Sequence, residues 1–387
     1  MYPAFLALGL LVLGLPMSTS VAESTGNEQV AQRLDRILRN STDPRSPGMA
    51  VLVKVDGKLV LEKGYGVRRA GAPELIDAHT NFRLASLSKE FTAMAIMLLV
   101  HDAKLRYDTS LTQIFPEFPA YGRDITVRQL LTHTSGLPDY EDLMDLEEKT
   151  NGPRWSPGNQ IQDAEVLALL EKQKQGKFPP GSRWAYSNSG YVVLGLIVAK
   201  ASGVPFADFV RLRIFEPLGM KDSVVFQKGK NEIANRAYGS SPAAGKFGVT
   251  DQSSTSATLG DGGVYSNVSD MSRWDDGLRN HTLLSEAEFA PALIPVRLSD
   301  GAPARWPSEP GDDNLAPGEP VDYGFGWFLD PWEGRPRMWH FGSTMGFRNA
   351  IQRFSRDPVT IVVLSNRSDL HAEAISTSLA ALLFAAN

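Results

Sequence analysis

The chain has 387 residues, of which 42% are hydrophobic and 21% charged, with a formal net charge of −5. That balance supports one large globular domain or two smaller ones and carries no basic stripe for nucleic acid. There is no cysteine, which excludes disulfides, thiolate metal sites, a cysteine nucleophile and a lipobox anchor.

Residues 4–15 are a short apolar run broken at Pro16, and Ser20 and Ala22 put small residues at the two positions a signal peptidase reads. This is the pattern of a bacterial-type secretory signal cleaved after Ala22, so residues 1–22 are expected to be removed and the protein exported, to the periplasm or beyond. The run is too short to span a bilayer, and no later stretch is long and apolar enough, so no stable membrane span is expected after cleavage. Residues 27–40 place Val30, Leu34, Ile37 and Leu38 on one helical face. Residues 49–55 and 58–63, joined by Asp56-Gly57, read as a β-hairpin. Within 82–100, a polar Ser-Leu-Ser-Lys-Glu precedes a run that is apolar nearly all round, which predicts a buried central helix. From 105 to about 258, helical segments are broken by Pro and Gly, at 127–132, 163–173, 191–201 and 205–215. Residues 239–263 and 300–320 read as loops. Strands return at 323–329, 337–341, 347–354 and 360–364, and 372–383 reads as a closing helix.

Strands at both ends and helices between them predict an α/β (α+β) architecture: an antiparallel sheet built from both chain ends, flanked by helices, with an inserted, mostly helical region. The mature chain, 23–387, divides on this reading into a sheet region at about 28–104 and 259–387 and a helical region at about 105–258.

Three motifs carry chemistry. Ser86-Leu87-Ser88-Lys89 puts a hydroxyl and an amine three residues apart, on one face of a helix. A serine is a poor nucleophile until a base takes its proton, and a lysine serves as that base once burial lowers its pKa. In Tyr186-Ser187-Asn188, the phenol offers a second proton-transfer group and the amide both accepts and donates to a substrate acyl group. In His340-Phe341-Gly342-Ser343, glycine allows close approach to the backbone, and the Ser343 N–H can pair with the Ser86 N–H to bind a developing oxyanion. His340 can donate to substrate or to Tyr186. Metal catalysis is not expected: the six histidines are scattered and no His-Glu-x-x-His spacing occurs. No cofactor is expected.

The order of these motifs resembles the penicillin-recognising serine hydrolase family, which includes class C β-lactamases, D-alanyl-D-alanine carboxypeptidases and β-lactamase-like esterases. The resemblance runs from about residue 30 to about 383. It is carried by 82–89 (Phe-Arg-Leu-Ala-Ser-Leu-Ser-Lys), 130–137 (Leu-Leu-Thr-His-Thr-Ser-Gly-Leu), 180–188 (Pro-Gly-Ser-Arg-Trp-Ala-Tyr-Ser-Asn), 216–220, 262–267, 323–327 (Tyr-Gly-Phe-Gly-Trp) and 340–343. It implies an α/β sandwich plus an all-helical region with the active site between them. It casts Ser86 as nucleophile, Lys89 as proton acceptor, Tyr186 as its acid/base partner and Asn188 as substrate-positioning group. The oxyanion hole would be the N–H groups of Ser86 and Ser343. Residues 130–137 read as packing and a turn.

Class C β-lactamases carry Lys-Thr-Gly where this chain has His340-Phe341-Gly342. A histidine, with an ordinary pKa of about 6.5, is mostly neutral at neutral pH, so an anchor for a substrate carboxylate is weakened. Arg348, close by in sequence, is a candidate substitute cation. The expected activity is hydrolysis of ester, amide or D-amino-acid peptide bonds in a small molecule or short peptide. True β-lactam turnover, or a penicillin-binding sensor without turnover, are the alternatives. Oligomeric state is not fixed by the sequence.

Overall fold

The structure, a computed structural model, describes residues 18–307 and 317–385. The apolar run of the expected leader and residues 308–316 of the second predicted loop lie outside the described residues. Helix α1 (Ser18–Asn40) precedes strands β1 (Met49–Val55) and β2 (Lys58–Tyr65). Asp56 and Gly57 take φ of 50° and 75°, as a two-residue hairpin turn requires, and β1 pairs antiparallel with β2 around them. Strand β3 (Phe82–Arg83) and a 3₁₀ turn (Ala85–Leu87) lead into α2 (Ser88–His101). Then come α3 (Leu111–Ile114), α4 (Val127–Leu131), α5 (Tyr140–Asn151), α6 (Asp163–Glu171) and α7 (Asn188–Ser202). Helix α8 (Phe206–Val210) runs through a π turn (Arg211–Phe215) into α9 (Glu216–Leu218). Strands β4 (Val224–Val225), β5 (Ser240–Ala243), β6 (Lys246–Val249) and β7 (Val264–Ser266) follow, then α10 (Val268–Arg279) and α11 (Glu286–Phe289). The chain closes with β8 (Phe328–Trp332), β9 (Arg335–Thr344), β10 (Phe347–Phe354), β11 (Val359–Ser365) and α12 (Ala372–Phe384).

The main sheet has six antiparallel strands in the order β2-β1-β11-β10-β9-β8, so strands from both ends of the chain meet at β1 and β11. Both faces are covered. Met49, Val51 and Val53 pack with Leu34 and Leu38 of α1 and Leu379 and Leu383 of α12. Ala50 and Leu52 point the other way, into the larger core shared with α2 and the helices that follow. Burial on both faces explains why 49–53 is apolar without alternation. Helix α2 is buried from Ser88 to Leu99, matching its apolar circumference. Lys54 is buried against α10, where it pairs with Asp276 and, at 3.2 Å, with Asp275. Arg353 of β10 and Thr360 of β11 bond the same Asp275 carboxylate at 2.8 and 2.7 Å. A small sheet, β3-β7-β4, carries the chain into the 3₁₀ turn.

Three sequence expectations are corrected. The stretch 239–263 is not wholly loop: β5 and β6 form a hairpin through Ala244 and Gly245, both at positive φ. The expected strand 323–329 begins only at Phe328. Helices α5 and α10 were not anticipated. Among the described residues, no single helix is long and apolar enough to cross a membrane.

Candidate active site

Ser86 lies in the 3₁₀ turn between β3 and α2, and the residue before it, Ala85, takes φ of 51°. That left-handed step is costly for a residue with a side chain and reverses the chain sharply at this point. The turn is held from two sides. The Asn349 amide of β10 donates to the carbonyls of Arg83 and Leu84 at 2.9 and 3.2 Å. Arg83 is buried and donates to Ser256 Oγ, to the Ser256 carbonyl (3.3 Å) and to that of Gly262 (3.4 Å). Helix α2 is stitched to the same loop: Val264 N–H donates to Ser88 Oγ at 3.0 Å, and Thr92 Oγ1 donates to the Gly260 carbonyl at 2.6 Å.

Lys89, the second residue of α2, is fully buried. Its Nζ lies 3.0 Å from Ser86 Oγ, 2.9 Å from Asn188 Oδ1 and 3.1 Å from the Asp261 carbonyl oxygen. Burial pushes its pKa down to about 8, opposed by the negative charges of Asp261, Asp139 and Glu141. A neutral lysine amine has two N–H bonds and one lone pair. The two carbonyl oxygens accept those N–H bonds, which leaves the lone pair for the Ser86 hydroxyl.

Tyr186 and Asn188 flank Ser187, whose hydroxyl caps α7 by accepting from Gly190 N–H at 3.0 Å. The Tyr186 ring centroid is 4.8 Å from Lys89 Nζ. The start of α5 is docked on the start of α7: Tyr140 N–H donates to Ser189 Oγ (2.8 Å), which donates to the Pro138 carbonyl (2.8 Å). This brings the carboxyls of Asp139 and Glu141 close enough for their charge to act on Lys89. Desolvation, together with the charge of Asp139, pushes Glu141 up to about 7.

Strand β9 pairs with β8 only as far as Trp339; beyond it, β9 runs against the Ser86 turn. Gly342 is required there, since a Cβ would stand 2.1 Å from the Leu84 carbonyl oxygen. Ser343 follows it, opposite Arg348 in the register.

His340 is placed differently from the expectation of a donor to substrate or Tyr186. It is fully buried. Its Nδ1–H donates to the Phe341 carbonyl (2.6 Å), and its Nε2 accepts from the Tyr323 hydroxyl (3.1 Å). Both ring nitrogens are engaged, and its centroid is 6.2 Å from that of Tyr186. Burial pushes its pKa down to about 3, so it is neutral. Arg348 is also corrected as a substitute cation. Phe347, Asn349 and Ile351 face the Ser86 side of β10, whereas Gln352 bonds Ser376 of α12. Alternation puts Arg348 on the α12 side, where it donates to the carbonyls of Thr344 and Phe347 and limits the rise that burial imposes on the Glu373 carboxyl.

The sequence reading missed Asp261, Asn349 and Tyr323 as parts of the site. Asp261 holds Lys89 through its main chain, which no side-chain motif records; the other two stand in segments read as strands, 347–354 and 323–329, without a site role. Among the described residues, no three His, Asp or Glu converge as metal ligands.

Residues 31–386 match the family described as Beta-lactamase. The chain is 31% identical over 333 residues to penicillin-binding protein 4* of Bacillus subtilis, covering 82% of this chain and 68% of that one. It is 28% identical to a D-aminopeptidase of Cereibacter sphaeroides, covering 87% of this chain and 60% of that one. It therefore spans about two thirds or less of these relatives' lengths. The solved octameric penicillin-binding protein homologue from Pyrococcus abyssi superposes with a TM-score of 0.72 at 26% identity, over 95% of this chain and 78% of that one.

Proposed function

The chain belongs to the beta-lactamase family and is a serine hydrolase of that family, and from this premise we propose that it forms an acyl-enzyme on Ser86. The observation that carries the reading is the placement of a fully buried Lys89 amine 3.0 Å from Ser86 Oγ with two carbonyl acceptors on its other side. Neutral Lys89 takes the hydroxyl proton as Oγ bonds to the substrate acyl carbon. The N–H groups of Ser86 and Ser343 stabilise the oxyanion. Tyr186 delivers a proton to the leaving amine or alcohol as its bond to the acyl carbon breaks. Water then releases the acid and restores the Ser86 hydroxyl. Asn188 positions both Lys89 and the acyl group.

The electrostatics favour D-amino-acid-type esters, amides or short peptides over penicillins. Neutral His340 and the outward Arg348 leave a substrate carboxylate without the cations expected for it. Asp139, and Glu141 in its ionised fraction, instead supply negative charge near Lys89, which suits a substrate bearing a free ammonium. The D-aminopeptidase among the relatives agrees with this choice. Export of the mature chain after Ala22 is part of the proposal.

The test is intact-protein mass spectrometry with an activated D-alanine ester, its N-acetylated analogue and a penicillin. A transient adduct with the D-alanine ester, absent in Ser86→Ala, is the expected result. Turnover of the free-amine ester should exceed that of the N-acetyl analogue by about tenfold, equivalent to about 1.4 kcal/mol. Full turnover by Ser86→Ala removes the mechanism. A penicillin adduct that hydrolyses as fast as the ester adduct would make this a β-lactamase, and one that never releases would make it a sensor.

A further inference from the structure

Residues 130–137 have no part in the chemistry above, yet their backbone templates the segment that carries Tyr186. Lys177 N–H donates to the Gly136 carbonyl (2.8 Å), Gly181 N–H to that of Thr134 (2.8 Å) and Ala185 N–H to that of His133 (2.9 Å). The last link uses a side chain: Ser187 N–H donates to His133 Nδ1 at 3.0 Å. Tyr186 is therefore held by one histidine through the residue on either side of it. The His133 ring also packs against the Tyr186 ring, with centroids 4.4 Å apart, and is enclosed by Tyr323 and Tyr191 at 4.7 and 5.1 Å. His133 is 1% exposed and takes φ of 59°.

We propose that His133 is a positioning residue for the Tyr186 phenol, gripping the chain on both sides of it through its carbonyl and its Nδ1. The inference rests on Tyr186 being the proton-transfer partner of Lys89. Nδ1 can accept only while it lacks a proton, so the working form is the neutral tautomer with its proton on Nε2. Burial keeps the imidazole well below its usual pKa, which preserves that acceptor. A histidine is suited to the position because a flat ring supplies the acceptor to the backbone and a face to the phenol at once.

The experiment compares His133→Ala and His133→Asn, each made in the wild-type chain and in Tyr186→Phe, by steady-state kinetics on an activated ester with circular dichroism to confirm folding. Asparagine keeps an acceptor at the position of Nδ1 and tolerates positive φ; alanine keeps neither the acceptor nor the ring. His133→Ala should lower kcat about tenfold to a hundredfold, the usual cost of misplacing a catalytic group by about 1 Å, with KM changed less than about threefold. His133→Asn should stay within about threefold of wild type in kcat. In the Tyr186→Phe background, both substitutions should change the residual rate by less than about twofold, since the group they position is gone. If His133→Asn is as slow as His133→Ala, or the His133→Ala penalty persists undiminished in a Tyr186→Phe enzyme that is itself slow, the positioning role is overturned and the catalytic reading stands. If Tyr186→Phe alone runs at the wild-type rate, both the role of Tyr186 and this inference fall.

Discussion

A lysine can take a proton from serine only where its surroundings have lowered its hold on its own. At Lys89 that is achieved by burial, which pushes the pKa down to about 8, while Asp261, Asp139 and Glu141 limit the fall. The sign of the pH effect follows. In the proposed mechanism the base is the neutral amine, so kcat/KM for an uncharged ester should rise with pH through an apparent pKa near 8, with activity lost below it as Lys89 becomes an ammonium. A pH–rate profile flat between about pH 6 and 9 would take Lys89 out of the rate-determining proton transfer. Ser86 and Lys89 were legible in sequence because a three-residue spacing on a helix fixes their proximity by itself. The state of His340 was not legible. Its neutrality depends on complete burial and on Tyr323, 17 residues away, at its Nε2.

Elements explain how precisely these groups are held. Strand β9 leaves β8 at Trp339 and continues against the 3₁₀ turn, with Gly342 at the closest approach. Gly342→Ala would set a Cβ 2.1 Å from the Leu84 carbonyl oxygen and force the strand off the turn. The expected result is a loss of about a hundredfold in kcat, as for losing an oxyanion donor, in a protein that still folds. Wild-type kcat in a folded Gly342→Ala would show that the Ser343 N–H plays no part. The β1–β2 hairpin was readable because Asp-Gly states its turn outright. The β5–β6 hairpin was not, since Ala244 takes positive φ there without the side-chain chemistry that usually announces it. Helix α5 was missed because its sequence is largely acidic and buries only Tyr140, Leu143 and Met144.

At the scale of the molecule, the sheet is locked to α10 by one buried carboxylate. Burial alone would raise the pKa of Asp275, but the charge of Arg353, the Thr360 hydroxyl and Lys54 outweigh it and hold it below its ordinary value. A depressed carboxylate stabilises the fold above its unfolded pKa of about 3.9, and that contribution is lost as pH falls through the folded value. Asp275→Asn leaves Arg353 without its counter-charge and Lys54 with Asp276 alone, and should cost about 3 kcal/mol at pH 7, read from denaturant midpoints. The gap from wild type should begin to narrow below about pH 4 and close only as pH falls through the depressed folded value. Equal midpoints at pH 7 would reduce this cluster to a surface-like pair. The sequence by itself determined that Ser86 and Lys89 lie together, and it determined the hairpin and the buried helix, each written in spacing or periodicity within a single element. The union of both chain ends in one sheet was read from the order of the elements along the chain. Only the tertiary structure decided that the Asp261 carbonyl would hold Lys89, that His340 would be neutral and that Arg348 would face α12. Those outcomes depend on strand register and on burial by distant segments, which no local pattern encodes.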